Sequence, residues 1–420
     1  MSAAVEFDEA IGIVLREARA LPVEQRAPQD ALGLVLAEAI ASRVDLPPFD
    51  NSAMDGFALR AAGEAVPAGR EFDVRGSQVA GDEASAAADG AWEIMTGARM
   101  PDGLDSVVPI ERVEILERDA DGRPGRIRLA ADVGPGDNVR LRGEDVASGA
   151  PVMPAGRRIG ANELMVLASL GRGTVAVRRR VRVAIINTGR ELVDDASRPL
   201  ASGEIRNSNG PYLAARVVAA GAEVVLRETV TDEPGVFLEV LGRALAAGAD
   251  VVLSTGAVSM GRHDFVPDAL RSVGADILFH KVQIRPGRPL LFARLAGGAL
   301  YFGLPGNPAS GAVGFRFFAE AALRAMSGMA PERPLRMPLA AAWSKRAPLR
   351  FHLKGLVELV DGGLRARVLK GQESFKVLPL LLANAWIVVP AESMALDAGE
   401  MVDVYGPGHL DAPLIGEVLE

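Results

Sequence analysis

Two kinds of charged side chain meet in the middle of this 420-residue chain. Glu191, Asp232 and Asp264 stand in short polar turns, and Lys281, Arg285 and Arg288 stand in one basic element, Lys281-Val282-Gln283-Ile284-Arg285-Pro286-Gly287-Arg288-Pro289. Carboxylates bind hard cations such as Mg²⁺ through oxygen. Arginine grips phosphate oxygens in a two-pronged fork. Acids on one side and cations on the other suit metal-assisted chemistry on a phosphorylated substrate. A plain solvated strand edge also accounts for the cations, because Lys281, Gln283 and Arg285 would alternate along one face of a strand.

These residues sit where strands give way to helices. Apolar runs VRVAIIN, AEVVLRETV, ADVVLS and ADILFHKVQI alternate with amphipathic stretches NGPYLAARVVAAG, EPGVFLEVLGRALAAG, DFVPDALRSVG and a longer one beginning near Asn307. That alternation predicts βαβ units and a doubly wound parallel sheet over roughly residues 181–328. Ligands of such sheets bind beyond the carboxyl ends of the strands, which selects four loops. The first holds Thr188 and Glu191. The second holds Asp232, which would also serve as a helix N-cap. The third, Ser254 to Gly261 with Gly256 and Ser259, leads to Asp264; its small residues let backbone N–H groups approach an anion. The fourth, Gly303 to Ser310, contains Pro305 and Asn307, with Asn307 placed to cap a helix and Pro308 at its first position. A well-made turn explains that spacing equally.

The flanks read differently. Residues 7–40 have helical apolar spacing broken at Pro22 and Pro28, which predicts two helices. Residues 50–131 carry short strand-like runs at 72–74, 92–95 and 106–110 between Gly, Pro and Asp clusters, as in a small β domain. A further helix is expected over 159–168. From residue 331 onward short strands return, and a second β barrel is expected.

Composition removes several functions. The chain has no cysteine, so disulfides, thiolate metal sites and cysteine nucleophiles are excluded. Its four histidines are scattered, which argues against a histidine metal cluster. A net charge of −8 and an aromatic content of 5% argue against general nucleic-acid binding. There is no run of about twenty apolar residues, and MSAAVEFDEA does not read as a signal peptide. A cytoplasmic protein without membrane association is expected.

One segment narrows the field. LPPFDNSAMDGFA, residues 46–58, sets Asp50 and Asp55 with Asn51 and Ser52 in a turn behind two prolines. It closely resembles the N-terminal signature of the MoeA family, the molybdenum insertases of molybdenum-cofactor synthesis, to which the gephyrin E domain is related. Gly136-Asp137-Asn138-Val139-Arg140-Leu141-Arg142-Gly143-Glu144-Asp145 and the four loops resemble further motifs of that family in order, so the likeness covers essentially the whole chain.

The resemblance implies four domains: an elongated N-terminal and dimerisation segment from 1–45 with 137–178, an inserted β domain at 46–136, a MogA-like molybdopterin-binding α/β domain at 179–330, and a C-terminal β barrel at 331–420. It implies a homodimer that moves molybdenum from molybdate into adenylylated molybdopterin and releases AMP with Mg²⁺. A molybdopterin adenylyltransferase and apo-molybdoenzymes are its implied partners. Position by position it implies catalytic roles for Asp55, Thr96, Glu191, Asp232, Asp264, Lys281 and Arg285; Glu191, Asp232 and Asp264 are the residues expected to hold Mg²⁺ on the pyrophosphate. It implies cofactor contacts from Thr188, Gly256, Ser259, Arg288, Pro305, Asn307, Lys354 and Ser374. The chain departs from the family pattern at Ala257 (usually Gly), Arg262, Arg285 (commonly Lys), Lys354 (commonly Arg) and Glu373 before Ser374. Two other readings stay open: a molybdopterin adenylyltransferase, which shares the α/β domain, and a non-catalytic carrier or scaffold.

Overall fold

The computed structural model describes residues 4–83, 85–86, 89–258 and 265–413. It divides into two compact units, one of residues 1–37, 156–160 and 175–420, the other of residues 38–155 and 161–174.

The first unit is built on a six-stranded sheet in the order Glu223–Val230, Arg182–Thr188, Val251–Thr255, Leu300–Leu304, Leu291–Arg294, Asp276–His280. The first four strands are parallel, and Leu291–Arg294 runs antiparallel to both neighbours. The expected parallel sheet is therefore a mixed one, closed at one edge by a hairpin. Side chains alternate across a strand, and here both faces are covered. Val183, Ile185 and Leu253 face one apolar cluster with Leu213, Val313 and Phe318. Ala184, Ile186 and Val252 face another with Phe237, Val240 and Leu270. Two buried faces explain the unbroken apolar runs read from the sequence. The chain leaves Arg182–Thr188 for one neighbour and reaches the other later, so the order reverses there and opens a crevice at the strand ends.

Helix Phe7–Glu17 forms as expected, with Asp8 and Glu9 in its first turn and Ala10 and Val14 buried. The second helix expected before residue 40 does not form. Pro22 and Pro28 forbid its continuation, and Val23–Arg26 instead pairs antiparallel with Val175–Arg178. The C-terminal sheet contains Leu335–Pro338, Arg350–Val360, Gly363–Val368, Ala385–Val389 and Met401–Tyr405. A bridge between Leu339 and Ala366 joins its two ends into a small barrel, around Leu353, Ile387 and Val404.

The second unit carries another six-stranded sheet, in the order Ser106–Pro109, Gly56–Leu59, Ala91–Ile94, Glu71–Gln78, Pro124–Leu129, Val113–Arg118. Phe57, Leu59, Val108 and Ile127 are its core. The helix expected near 159–168 spans Ala161–Ser169. Among the described residues no helix is long and apolar enough to cross a membrane.

Candidate active site

The strand Arg182–Thr188 delivers its last residues to the crevice in fixed positions. Asn187 donates its amide to Thr255 Oγ1 at 2.6 Å, and Thr188 Oγ1 donates to the Thr255 carbonyl at 3.1 Å. Both residues are buried, so these bonds lock the two neighbouring loops to one another. Gly189 follows with φ 149°, and its missing side chain leaves room for Glu191, whose Oε1 lies 2.7 Å from where a Cβ would stand. Glu191 is thereby folded back over the turn. Gly256 has φ 89°, and a Cβ there would meet the Thr188 carbonyl at 2.5 Å. Ala257 adopts φ 50°, a left-handed conformation that favours glycine.

The opposite wall comes from the turn before the helix Pro308–Gly314. Asn307 occupies its N-cap position with Pro308 behind it, yet its side chain makes no capping bond. Asn209 reaches across to donate to the Gly306 carbonyl at 2.7 Å. Asn207 donates to Asp194 at 3.0 Å and Thr229 Oγ1 at 2.9 Å, and accepts from the Gly210 N–H at 2.9 Å. Together these loops line a cavity of about 680 Å³, to which Thr188, Glu191, Asn207, Gly256, Pro305 and Asn307 contribute. Phe375 and Val377 of the barrel also line it. Sequence reasoning missed Asn207, Phe375 and Val377. The run Asn207-Ser208-Asn209-Gly210 ahead of a helix was a usable signal, because so many short polar side chains are more than one cap requires.

Other expected residues lie differently. Asp232 is exposed and does not cap its helix, where Glu233 holds the N-cap position; its carboxylate accepts from the Arg190 N–H at 3.3 Å. Lys281, Gln283 and Arg285 do not share one strand face. The strand Asp276–His280 stops before Lys281, which has φ 95°. Lys281 N–H then bonds to the Leu290 carbonyl, and Ile284–Arg285 joins the C-terminal sheet beside Arg350–Val360. The prolines and Gly287 force a loop where alternation suggested a strand. Arg285 lies over the Phe351 ring at 5.7 Å, and Arg288 is exposed, with Pro289 next to it on the cavity wall.

Ser259, Arg262 and Asp264 fall outside the described residues. Among the described residues no group of three acids or histidines is placed to hold a metal. Glu191 and Asp232 nevertheless supply hard oxygen donors beside the same turn, of the kind Mg²⁺ takes.

In the second unit, Asp55 accepts from the Thr96 N–H at 2.7 Å and from Thr96 Oγ1 at 2.9 Å. These bonds, the backbone one foremost, lower the pKa of Asp55 and keep it ionised. Gly56 beside it admits no side chain, since a Cβ would lie 2.0 Å from the Val108 carbonyl. Asp50 accepts from the Arg142 N–H at 2.7 Å, which ties the 46–58 segment to the 136–145 motif.

Comparison with known proteins agrees across this whole arrangement. Residues 5–171 match the model of the MoeA N-terminal region (domain I and II), 184–325 that of a probable molybdopterin binding domain, and 336–406 that of the MoeA C-terminal region (domain IV). A molybdopterin molybdenumtransferase from Synechococcus elongatus is 35% identical over 95% of this chain and 99% of its own length. The Bacillus subtilis protein of the same name is 34% identical over 95% and 93%. The chain belongs to the MoeA family. A molybdopterin biosynthesis MoeA protein from Pyrococcus horikoshii superposes with a TM-score of 0.78 at 28% identity, over 96% of this chain and 99% of that one.

Against the MoeA pattern, two departures have visible structural consequences. Lys354 is buried and turned away from the cavity: its Nζ donates to the carbonyls of Gly371 at 2.7 Å and Glu373 at 3.1 Å. Burial lowers its pKa. It thus holds the loop on which Ser374 stands, and the Ser374 carbonyl accepts from the Ala309 N–H at 2.9 Å. Glu373 pairs with Lys376 at 3.0 Å on the surface, which offsets the added negative charge.

Proposed function

We propose that this chain is a molybdopterin molybdenumtransferase of molybdenum-cofactor biosynthesis, which inserts molybdenum from molybdate into adenylylated molybdopterin and releases AMP. The observation that carries this reading is the cavity at the carboxyl ends of the sheet, lined by Thr188, Glu191, Asn207 and Asn307, within a chain that follows its molybdenumtransferase relatives from end to end.

Both substrates are anionic, so the first task is to bring negative groups together. Lys281, Arg285 and Arg288 offset that charge. Mg²⁺, when bound, would be held by Glu191, Asp232 and Asp264 and would supply electrostatic stabilisation to the phosphate oxygens. Thr188, Gly256, Ser259, Pro305 and Asn307 position the cofactor, with Ser374 contributed through the barrel loop. Asp55 and Thr96 are the proposed catalytic residues of the 46–136 domain. The four-domain division, a homodimeric assembly and a cytoplasmic location belong to the same reading.

The test is AMP release from adenylylated molybdopterin by the purified protein with molybdate and Mg²⁺, followed beside reconstitution of an apo-molybdoenzyme. Coupled release and transfer is expected, lost in Asp264→Ala with the fold intact. Tight binding of the substrate without release would replace this reading with that of a carrier.

A further inference from the structure

The cavity has two chemically distinct sides. Thr188, Asn207, Thr255 and Asn307 line one. The barrel loop on the other side presents Phe375, which is 64% exposed. This exposure does not come from a loose loop. The Gln372 side chain accepts from the Lys354 N–H at 3.0 Å and donates to the Lys354 and Leu369 carbonyls, each at 2.8 Å. Lys354 Nζ holds the carbonyls on either side, and Ala309 N–H holds that of Ser374. A large ring is therefore kept in water at the edge of a cavity by a braced backbone, an arrangement that points to a ligand.

The apolar surface continues. Beyond Val377 lies a second hollow of about 310 Å³, which shares Ser208, Asn209, Pro308 and Val377 with the first cavity and adds Tyr212, Leu380 and Leu381. Oxyanions and phosphates gain nothing from such a wall, whereas a flat heteroaromatic ring gains stacking and burial. We propose that Phe375 and the adjoining hollow form the subsite for a flat heteroaromatic ring of the substrate, and that Phe375 is a specificity-determining residue. This rests on the function proposed above, whose substrate carries two such rings, adenine and pterin. The shared chemistry is stacking of a flat nitrogen heterocycle.

The experiment compares wild type, Phe375→Ala and Phe375→Trp by steady-state molybdenum transfer and by calorimetric titration with AMP and with a free pterin. Phe375→Ala is expected to raise KM by about 5- to 100-fold, with kcat changed far less, and Phe375→Trp to restore it. A weaker titration with AMP assigns adenine to the subsite; one with the pterin assigns the pterin. Unchanged KM and unchanged binding of both rings in Phe375→Ala would overturn the subsite and leave the patch as a face for another protein. Should wild type transfer no molybdenum, the functional reading fails and the titrations still decide. Ring binding that Phe375→Ala loses supports the subsite, and wild type binding neither ring overturns it. Phe375 is 64% exposed, so its replacement leaves the fold intact.

Discussion

Gly189 and Glu191 form a single unit: the glutamate carboxylate occupies the space that any side chain at 189 would take, with Oε1 2.7 Å and Oε2 2.8 Å from the position of a Cβ. The carboxylate is aimed by the absence of a methyl group two residues earlier. Gly189→Ala must push it aside. The expected result is a loss of molybdenum transfer approaching that of Glu191→Gln, with a stability change of no more than about 2 kcal/mol, because the atoms in the way are the far end of a flexible side chain that lines an open cavity. Parallel activity assays and thermal melts of both variants check this. Full activity in Gly189→Ala would show that Glu191 works in another orientation.

Ala257 presents the opposite case. It holds φ 50°, where an L-residue pays about 1–2 kcal/mol that glycine does not. Ala257→Gly is expected to stabilise the protein by about 0.5–1 kcal/mol, as the removed strain outweighs the added chain entropy of glycine. The midpoint of urea denaturation at unchanged slope measures it. A lower midpoint would mean that the methyl group makes packing contacts worth more than the strain.

The sequence revealed features governed by neighbours along the chain. The α/β alternation, the loops at strand ends and the 46–58 turn all follow from apolar period and from Gly and Pro placement. It hid features governed by contacts far apart in the chain. Val23–Arg26 reads as helix until Val175–Arg178 is beside it. Lys281 and Arg285 read as one strand face because alternation carries no sign of the left-handed residue that breaks it. Phe375 lies 187 positions after Thr188 yet lines the same cavity, and nothing local marks it. Lys354 stood as a ligand contact through the family resemblance alone, and nothing in the sequence showed its burial beneath three carbonyls.

His352 is a buried liability with a defined pH signature. It is packed between Phe7 and Phe317, at 5.4 and 4.3 Å between ring centroids, and neither ring nitrogen has a hydrogen-bond partner among the described residues. Burial, with the charges of Arg350 and Arg316, holds its pKa well below 6.5. The folded form thus refuses a proton that the unfolded chain accepts, so stability present above about pH 6.5 is lost as pH falls. His352→Phe removes both the unpaired nitrogens and the proton linkage. It is expected to stabilise by about 1 kcal/mol at pH 7, and its advantage should widen by about 1.4 kcal/mol per unit below pH 6. Denaturation curves at pH 7, 6 and 5 test this; an advantage constant across them would place the acid sensitivity elsewhere.

Lys354 gives the sharpest contrast between a charge that binds substrate and one that braces a loop. Its Nζ faces the carbonyls of Gly371, Glu373 and Lys376, and the residue is 1% exposed. Lys354→Met keeps the length and the apolar stem but leaves those carbonyls without their donor, which costs about 1–3 kcal/mol for buried acceptors. Residues 371–377 should then open more often, and the Ala309 N–H that bonds to Ser374 should exchange faster with deuterium while the sheet amides of Arg182–Thr188 do not. Lys354→Arg restores the charge but must fit a larger planar head into the same slot, so partial protection is expected. Unchanged exchange at Ala309 in Lys354→Met, with molybdenum transfer lost, would return Lys354 to direct contact with substrate.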